Sequence, residues 1–301
     1  DLVRDGPHGL IGGTTGSGKS ELLQTVIASL AAANRPDELT FVLVDYKGGS
    51  AFRECAELPH TLGMITDLDG HLVKRALASL DAELRRRETV LNEVEAKDHT
   101  EYRIKRSRDP RLPALPRLIL VIDEFATLVR ELPDFVPGLI SLAQRGRSLG
   151  LHLLLATQRP GGSVSNEIKA NTNLRMALRV TDRSESQDII NSIEAAGISP
   201  NNPGRALVRR GEGAPTPFQT AFVGAERPAP SRTPPPRPPW PGRYAGSGSA
   251  GSASGARWIS RRQDWNRNRT PTRTRAVRPL RWSNRRTCAP WWTRCARRRT
   301  G

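Results

Sequence analysis

The sequence predicts an α/β fold in which a mainly parallel, doubly wound sheet carries helices on both faces. Three observations support this prediction: a glycine-rich loop between a strand and a helix, an apolar strand that ends in two acidic residues, and strand patterns that alternate with helix patterns. These patterns fill residues 1–225, whereas residues 226–301 show no sustained apolar periodicity. We therefore predict one folded domain, residues 1–225, and a disordered C-terminal tail, residues 226–301, rich in Arg, Pro and Gly.

The glycine-rich loop, residues 13–20 with the sequence GTTGSGKS, fits the pattern G-x-x-x-x-G-K-[ST]. A short apolar strand at residues 8–12 precedes it, and an apolar helix pattern that ends near Asn34 follows it. Such a loop directs backbone N–H groups and a helix N-terminus at one anion, so that Lys19 reaches terminal phosphates and the Ser20 hydroxyl holds Mg²⁺. The simpler alternative is a glycine-rich turn before a helix. The predicted phosphate-binding residues are Gly13, Thr14, Thr15, Gly16, Ser17, Gly18, Lys19, Ser20 and Glu21.

The acidic pair follows a continuous apolar run, residues 117–122, which is typical of a parallel strand buried on both faces. Asp123 and Glu124 then lie at the carboxyl edge of the sheet, where α/β folds bind ligands. We predict that Asp123 holds the Mg²⁺ shell through water and that Glu124 orients and deprotonates an attacking water. The alternative is a helix that begins at Asp123, with this residue as its N-cap.

The remaining patterns extend the sheet and its helices. A long helix is predicted after an Asp69 cap, with one apolar stripe and with the basic run 85–87 as a solvated face. A second helix covers residues 135–149 and carries Arg145 and Arg147. The predicted further strands are residues 40–45, 61–66, 151–156, 174–180, 205–208 and 218–223.

The charge of +17 belongs entirely to the tail. Residues 1–225 hold 28 basic and 28 acidic residues, whereas residues 226–301 hold 19 Arg, no Lys and 2 acidic residues. The tail is interpreted either as a basic arm that binds nucleic acid or, our preference, as an out-of-frame translation of GC-rich sequence.

The three cysteines form no zinc or disulfide pattern, which favours a reducing, cytosolic setting. No membrane-length apolar run or signal peptide is visible, and the start at Asp1 suggests a fragment whose missing upstream region could carry a membrane anchor.

With these elements placed, residues 8–225 resemble the motor domain of the FtsK/SpoIIIE ATPases. Five blocks carry the resemblance in the family order: residues 13–20, 45–49 (DYKGG), 120–125, 146–150 (GRSLG) and 156–160 (ATQRP). One branch of this family pumps double-stranded DNA, and the EccC/EssC branch powers type VII protein secretion. The DYKGG block, the LPH at 58–60 and the PGRA at 203–206 followed by Phe218-Gln219 favour the secretion branch.

The resemblance implies a RecA-like core that forms a homo-oligomeric ring, typically a hexamer, with ATP and Mg²⁺ between subunits. By matching position, Gln158 resembles the γ-phosphate sensor, and Arg147 or Arg145 resembles the finger that reaches a neighbour's nucleotide. Arg175 is a third candidate for the finger, and the alternative for Arg145 and Arg147 is the stabilisation of a helix C-terminus by cations. The expected polymer is a secreted protein, or else double-stranded DNA, and the expected location is the cytoplasmic motor of a membrane-anchored protein. A low-turnover regulatory module that binds nucleotide is the remaining alternative, and the intact acidic pair argues against it.

Overall fold

The computed structural model describes residues 2–46, 51–66, 70–159 and 166–224. The predicted Asp69 cap, most of the DYKGG block, Pro160 and the predicted tail at 226–301 lie outside the described residues.

An eight-stranded sheet forms the centre of the fold, in the order β3-β2-β4-β5-β1-β6-β7-β8. The strands are β1 Gly9–Gly12, β2 Leu39–Asp45, β3 Thr61–Ile65, β4 Arg117–Asp123, β5 Leu151–Thr157, β6 Leu174–Leu178, β7 Arg205–Arg210 and β8 Thr216–Gln219. The strands from β3 to β6 in this order pair in parallel, and β7 and β8 add an antiparallel hairpin at one edge. The predicted mainly parallel sheet is therefore confirmed.

Eight α-helices are described on the connections between these strands. They are α1 Lys19–Ala33, α2 Arg53–Ala56, α3 Gly70–Glu93, α4 His99–Arg108, α5 Phe125–Glu131, α6 Phe135–Leu149, α7 Asn166–Asn171 and α8 Arg183–Ile190, followed by a 3-10 turn at Glu194–Gly197. None of the helices in the described ranges is long and apolar enough to cross a bilayer.

The apolar run of β4 divides between two cores, one on each face of the sheet. Leu118, Leu120 and Ile122 pack into the core that α3, α5 and α6 cover. Ile119 and Val121 pack into the opposite core, which α1 covers. Because successive strand residues point to opposite faces, a strand in this position must be apolar at every residue, which explains why its sequence shows no alternation.

The basic run 85–87 on α3 corrects one prediction. Arg85 and Arg86 are exposed, but Arg87 is only 1% exposed and donates to the carbonyls of Leu149 and Pro116. Successive residues of a helix point about 100° apart, so three consecutive residues cannot share one solvated face.

Two other predictions needed adjustment. Leu72 of the predicted apolar stripe is 38% exposed. Helix α3 packs beside α6 from the level of Leu77, which contacts Gly138 near the start of α6. Leu72 lies before that level and therefore projects beyond the start of α6. The last strand is β8 Thr216–Gln219 rather than residues 218–223. Its pairing with β7 ends at Gln219 opposite Arg205, after which the Thr220 N–H donates to the carbonyl of Gly204.

Candidate nucleotide-binding site

The candidate site lies at the carboxyl edge of the parallel strands, where β1 passes into α1. The loop between them is anchored by its neighbours on both sides: the Gly13 N–H donates to the Thr157 carbonyl of the β5 end, and the Thr14 N–H donates to the Arg179 carbonyl after β6. Central strands of the sheet therefore fix the start of the loop.

Glycine conformations give the loop its shape. Gly16 has φ +75° and Gly18 has φ +93°, values that residues with a Cβ rarely adopt. Ser17 between them is buried, and within the described residues its Oγ has no hydrogen-bond partner. A buried hydroxyl that lacks a partner in a glycine-rich loop fits an anionic ligand that supplies one, as the sequence predicts for a phosphate.

Lys19 begins α1 and is buried, with its Nζ paired to Asp123 Oδ1 of the β4 end. Asp123 is also buried, and the same Oδ1 accepts from the N–H of Glu124. The loop lysine and the strand carboxylate, 104 residues apart in the sequence, are thus in direct contact in this structure.

Glu124 has a left-handed backbone, φ 59° and ψ 46°, between β4 and α5. This conformation costs a non-glycine residue about 1 kcal/mol or more, and such strain is concentrated at functional sites. Glu124 is buried, and Thr127 Oγ1 lies 3.5 Å from its Oε1. The alternative of a helix that starts at Asp123 is wrong, because Asp123 ends the strand and α5 begins at Phe125.

Gln158 follows β5 directly, and its Oε1 accepts a hydrogen bond of 2.7 Å from Thr15 Oγ1 of the loop. The amide thus lies against the loop from the neighbouring strand.

Asp45 ends β2 and lies in register with Asp123 of β4. Its Oδ2 accepts from the N–H of Ala51 at 3.0 Å, so the carboxylate holds the far end of the loop that follows β2.

The donor set also fits Mg²⁺. The Ser20 hydroxyl in the first turn of α1 and the carboxylates of Asp123 and Asp45 at one sheet edge are hard oxygen ligands, the kind that Mg²⁺ prefers. Among them, Ser20 and Asp123 are the two residues whose positions the sequence predicts for the metal.

The two candidate finger arginines lie elsewhere. Both are in the last turns of α6, which only Gly150 separates from β5, at the amino edge of the strands opposite the phosphate loop. Arg145 donates to Asp81 Oδ1 at 2.8 Å and to Glu88 Oε1 at 3.0 Å on α3, and its hydrogen bond to the Glu88 carboxylate is the main cause that raises the pKa of Arg145. Arg147 is exposed and lines a cleft there together with Arg117. Neither arginine contacts the phosphate loop of its own chain.

Arg175, the third candidate, has its Nε and Nη2 on the carbonyls of Thr172 and Lys169. Burial lowers the pKa of Arg175. Its Nη1 donates to Asn191 Oδ1 at 3.4 Å, so the donors of Arg175 serve partners within its own chain.

The turn that precedes β7 also belongs to this site, although the sequence pattern did not predict it there. The Gly204 N–H donates to the carbonyl of Ser17 at 2.8 Å, which brings this distant segment onto the phosphate loop. The available signal was the glycine of the PGRA block, which has φ +79°.

Comparisons with known proteins agree with this geometry. The model of the FtsK/SpoIIIE family matches residues 1–162. Type VII secretion system protein EssC of Staphylococcus aureus is 44% identical over 221 residues, which is 73% of this chain and 15% of that protein. The chain therefore spans about 15% of the length of this curated relative.

Solved structures show the same fold. The cytoplasmic domain of the Thermomonospora curvata type VII secretion ATPase EccC superposes with a TM-score of 0.70 at 35% identity, covering 75% of this chain and 27% of that chain. ATPases 2 and 3 of the same EccC, in complex with a signal sequence peptide, give 0.64 at 30% identity, covering 74% and 39%. The pCW3 conjugation coupling protein TcpA, a monomer form with ATPγS, gives 0.62 at 27% identity, covering 74% and 62%.

The family model spans more than half of the chain, and the blocks that it shares with the family form the glycine-rich loop and the acidic strand end described above. The chain belongs to the FtsK/SpoIIIE family of P-loop ATPases.

Proposed function

We propose that this chain binds and hydrolyses Mg-ATP and acts as a motor domain of type VII protein secretion. The observation that carries the proposal is the convergence of Lys19, Asp123 and Glu124 beside the glycine-rich loop at one sheet edge. The similarity to EssC and EccC selects secretion among the functions of the family.

The loop and α1 supply the phosphate-binding groups. The first N–H groups of a helix have no partner within the helix and carry its positive dipole end, so they favour an anion. Lys19 neutralises phosphate charge. To do so, its Nζ must leave the Asp123 carboxylate and pair with the nucleotide. Ser20 directly, and Asp123 through water, would hold Mg²⁺, which would supply positive charge beside the phosphates.

Glu124 is the proposed base. A carboxylate beside the terminal phosphate can orient a water and accept its proton as the water attacks. Its left-handed backbone at the strand end fixes the position from which it acts. Gln158, held to the loop by Thr15, reports the γ-phosphate through a neutral amide.

Assembly completes the proposed site. Arg147 is at the sheet edge opposite its own phosphate loop and is exposed, so in a ring it can reach a neighbouring subunit's nucleotide. An arginine suits this task because its charge is fixed and its donors are forked. Arg145, paired with Asp81 and Glu88, is the less available of the two.

The proposed substrate is a secreted protein, and the proposed location is the cytoplasmic side of a membrane-anchored assembly, as a ring that is typically hexameric. The runner-up is a double-stranded DNA translocase, which the similarity to the conjugation coupling protein TcpA favours. A low-turnover regulatory module is disfavoured by the complete set of Lys19, Ser20, Asp123 and Glu124.

The proposal is tested by ATP turnover of Glu124→Gln. This change keeps the size of the side chain and removes the base, so ATP affinity is retained and turnover falls about 100-fold or more. Lys19→Ala loses nucleotide binding. Glu93→Gln, the same chemical change at the exposed end of α3, serves as the matched control and keeps parental turnover. Turnover of Glu124→Gln at the parental rate would remove Glu124 from the mechanism.

The finger in trans is tested by mixing variants. Arg147→Ala alone retains ATP affinity and loses turnover. A mixture of Arg147→Ala with Glu124→Gln regains part of the activity, because some interfaces then combine an intact base with an intact finger. A mixture no more active than its two components would refute the role in trans.

A further inference from the structure

We propose that the turn at Pro203–Gly204 is part of the nucleotide site: its backbone holds the phosphate loop in the form that receives ATP, and Gln219 positions the turn. This inference rests on the proposed function, since it assigns how the same site is kept in shape. Gly204 and Gln219 are positioning residues and contact no reacting atom.

The turn and the loop are in direct backbone contact. The Gly204 N–H donates to the Ser17 carbonyl at 2.8 Å, at the centre of the loop. A Cβ placed on Gly18 would lie 2.7 Å from the Gly204 nitrogen. Two glycines therefore meet where any side chain on Gly18 would force the segments apart.

The contact fixes the orientation of one peptide group of the loop. In a trans peptide the C=O of one residue and the N–H of the next point in opposite directions. When Gly204 holds the Ser17 carbonyl, the Gly18 N–H is directed away from Gly204 and the carbonyl cannot turn toward an incoming phosphate, where its oxygen would repel the anion.

The turn is itself held from the β8 side. Gln219 Nε2 donates to the Pro203 carbonyl at 2.9 Å, and the Thr220 N–H donates to the Gly204 carbonyl at 2.9 Å. One residue further, the Ala221 carbonyl accepts from Thr25 Oγ1 of α1 at 2.8 Å. The end of the β7–β8 hairpin thus lies across both the loop and the first helix.

The contact with Gly204 matters because the hydrogen bonds to the central strands hold the loop near its start, at Gly13 and Thr14. A Cβ on Gly16 would meet no atom within 4 Å, and glycines lose more conformational entropy on ordering than other residues. A loop that is already ordered before ATP arrives binds it more tightly, since less entropy is lost at binding. The phosphate loop is thus pre-organised by Gly204 and Gln219, which lie far outside the residues 1–162 that match the family model.

The test compares the two glycines that flank β7. Gly204 has φ +79° and a Cβ there would lie 3.0 Å from Gln219 Nε2, whereas Gly211 has φ +58° and a Cβ there meets no atom within 4 Å. Both Ala substitutions impose left-handed strain, so both lower Tm. Only Gly204→Ala raises the Kd for a fluorescent ATP analogue with Mg²⁺, by about fivefold, which corresponds to about 1 kcal/mol. The KM for ATP rises likewise while kcat changes less.

Gln219→Glu tests the same contact between the turn and the phosphate loop without backbone strain. It provides a second variant if Gly204→Ala does not fold. The introduced carboxylate has no N–H to donate and its oxygen faces the Pro203 carbonyl oxygen. The Kd for the ATP analogue therefore rises in the Gln219→Glu variant as well. Parental affinity in both folded variants, or an equal rise in Gly211→Ala, would overturn the inference. A parent protein that binds no ATP would instead refute the proposed function.

Discussion

Buried His8 makes the stability of the domain sensitive to acid. Its Nε2 bonds the Ala143 carbonyl at 2.8 Å, and its Nδ1 accepts from the Leu153 N–H at 2.9 Å. A second proton on the ring would face the Leu153 N–H and break this bond. Burial lowers the pKa of His8 to about 4 and that of His99 to about 3.

The sign of the effect follows from these values. In the unfolded chain a histidine takes up a proton near its ordinary pKa of about 6.5, whereas folded His8 stays neutral until about pH 4. Acidification therefore favours the unfolded state, and stability is lost as pH falls through this window. From pH 7 to pH 5, His8 alone lowers the free energy of unfolding by about 2 kcal/mol.

Denaturant unfolding at pH 7 and pH 5 measures this loss. His8→Gln cannot titrate at this position, so it loses less stability than the parent when the pH falls from 7 to 5. His99 and His152, whose pKa values burial also lowers, leave part of the dependence in place. An equal loss in parent and variant would show that His8 does not contribute.

At the scale of elements, Arg87 ties α3 to the junction between α6 and β5. Its Nη1 donates to the Leu149 carbonyl at 2.9 Å, its Nη2 to the Pro116 carbonyl at 2.7 Å, and its Nε to Glu83 at 2.9 Å. One guanidinium thus donates both to the last residue of α6 and to the residue before β4.

Removal of this side chain has a large expected cost. Arg87→Met leaves the carbonyls of Leu149 and Pro116 without this donor and removes one of the two arginines that pair with Glu83, and we expect a loss of about 3–5 kcal/mol. Arg86→Met is the adjacent control: the Arg86 side chain is 49% exposed and pairs with Glu83, which keeps Arg87 as a partner in this variant, so the expected loss is about 1 kcal/mol or less. Unfolding in urea separates the two, and similar losses would contradict the role assigned to Arg87.

The same elements show what the sequence can and cannot predict. The central strands and α6 were placed correctly because strands apolar on both faces, and a helix with an apolar stripe, leave local patterns. Glu124 was placed for the same reason, since it follows such a strand. Arg87 and Gly204 could not be placed, because their partners lie 62 and 187 residues away in the chain. The polar helix α4 was also missed, since it buries only His99 and Tyr102.

At the scale of the whole molecule, charge separates the two candidate polymers. Residues 1–225 are neutral, whereas residues 226–301 carry the whole excess of +17. A neutral domain has little general attraction for DNA, although a ring can still concentrate positive charge in its pore. Binding through an arginine-rich segment falls steeply with salt and shows no sequence preference. The full chain is therefore unsuitable for deciding the substrate, and residues 1–225 alone must be used.

We expect the ATPase rate of residues 1–225 to rise with a signal sequence peptide of a secreted protein and to be unchanged by duplex DNA at physiological salt. The peptide expectation comes from the EccC complex with such a peptide, and the DNA expectation from the neutral charge. Truncation at residue 225 leaves Tm and ATP affinity nearly unchanged, which must hold before the rates are compared. A scrambled peptide is the control for sequence. Strong stimulation by duplex DNA, without an effect of the peptide, would make this chain a DNA translocase. Because residues 1–225 are neutral overall, the positive charge that attracts DNA would then have to be concentrated in the pore of the assembled ring.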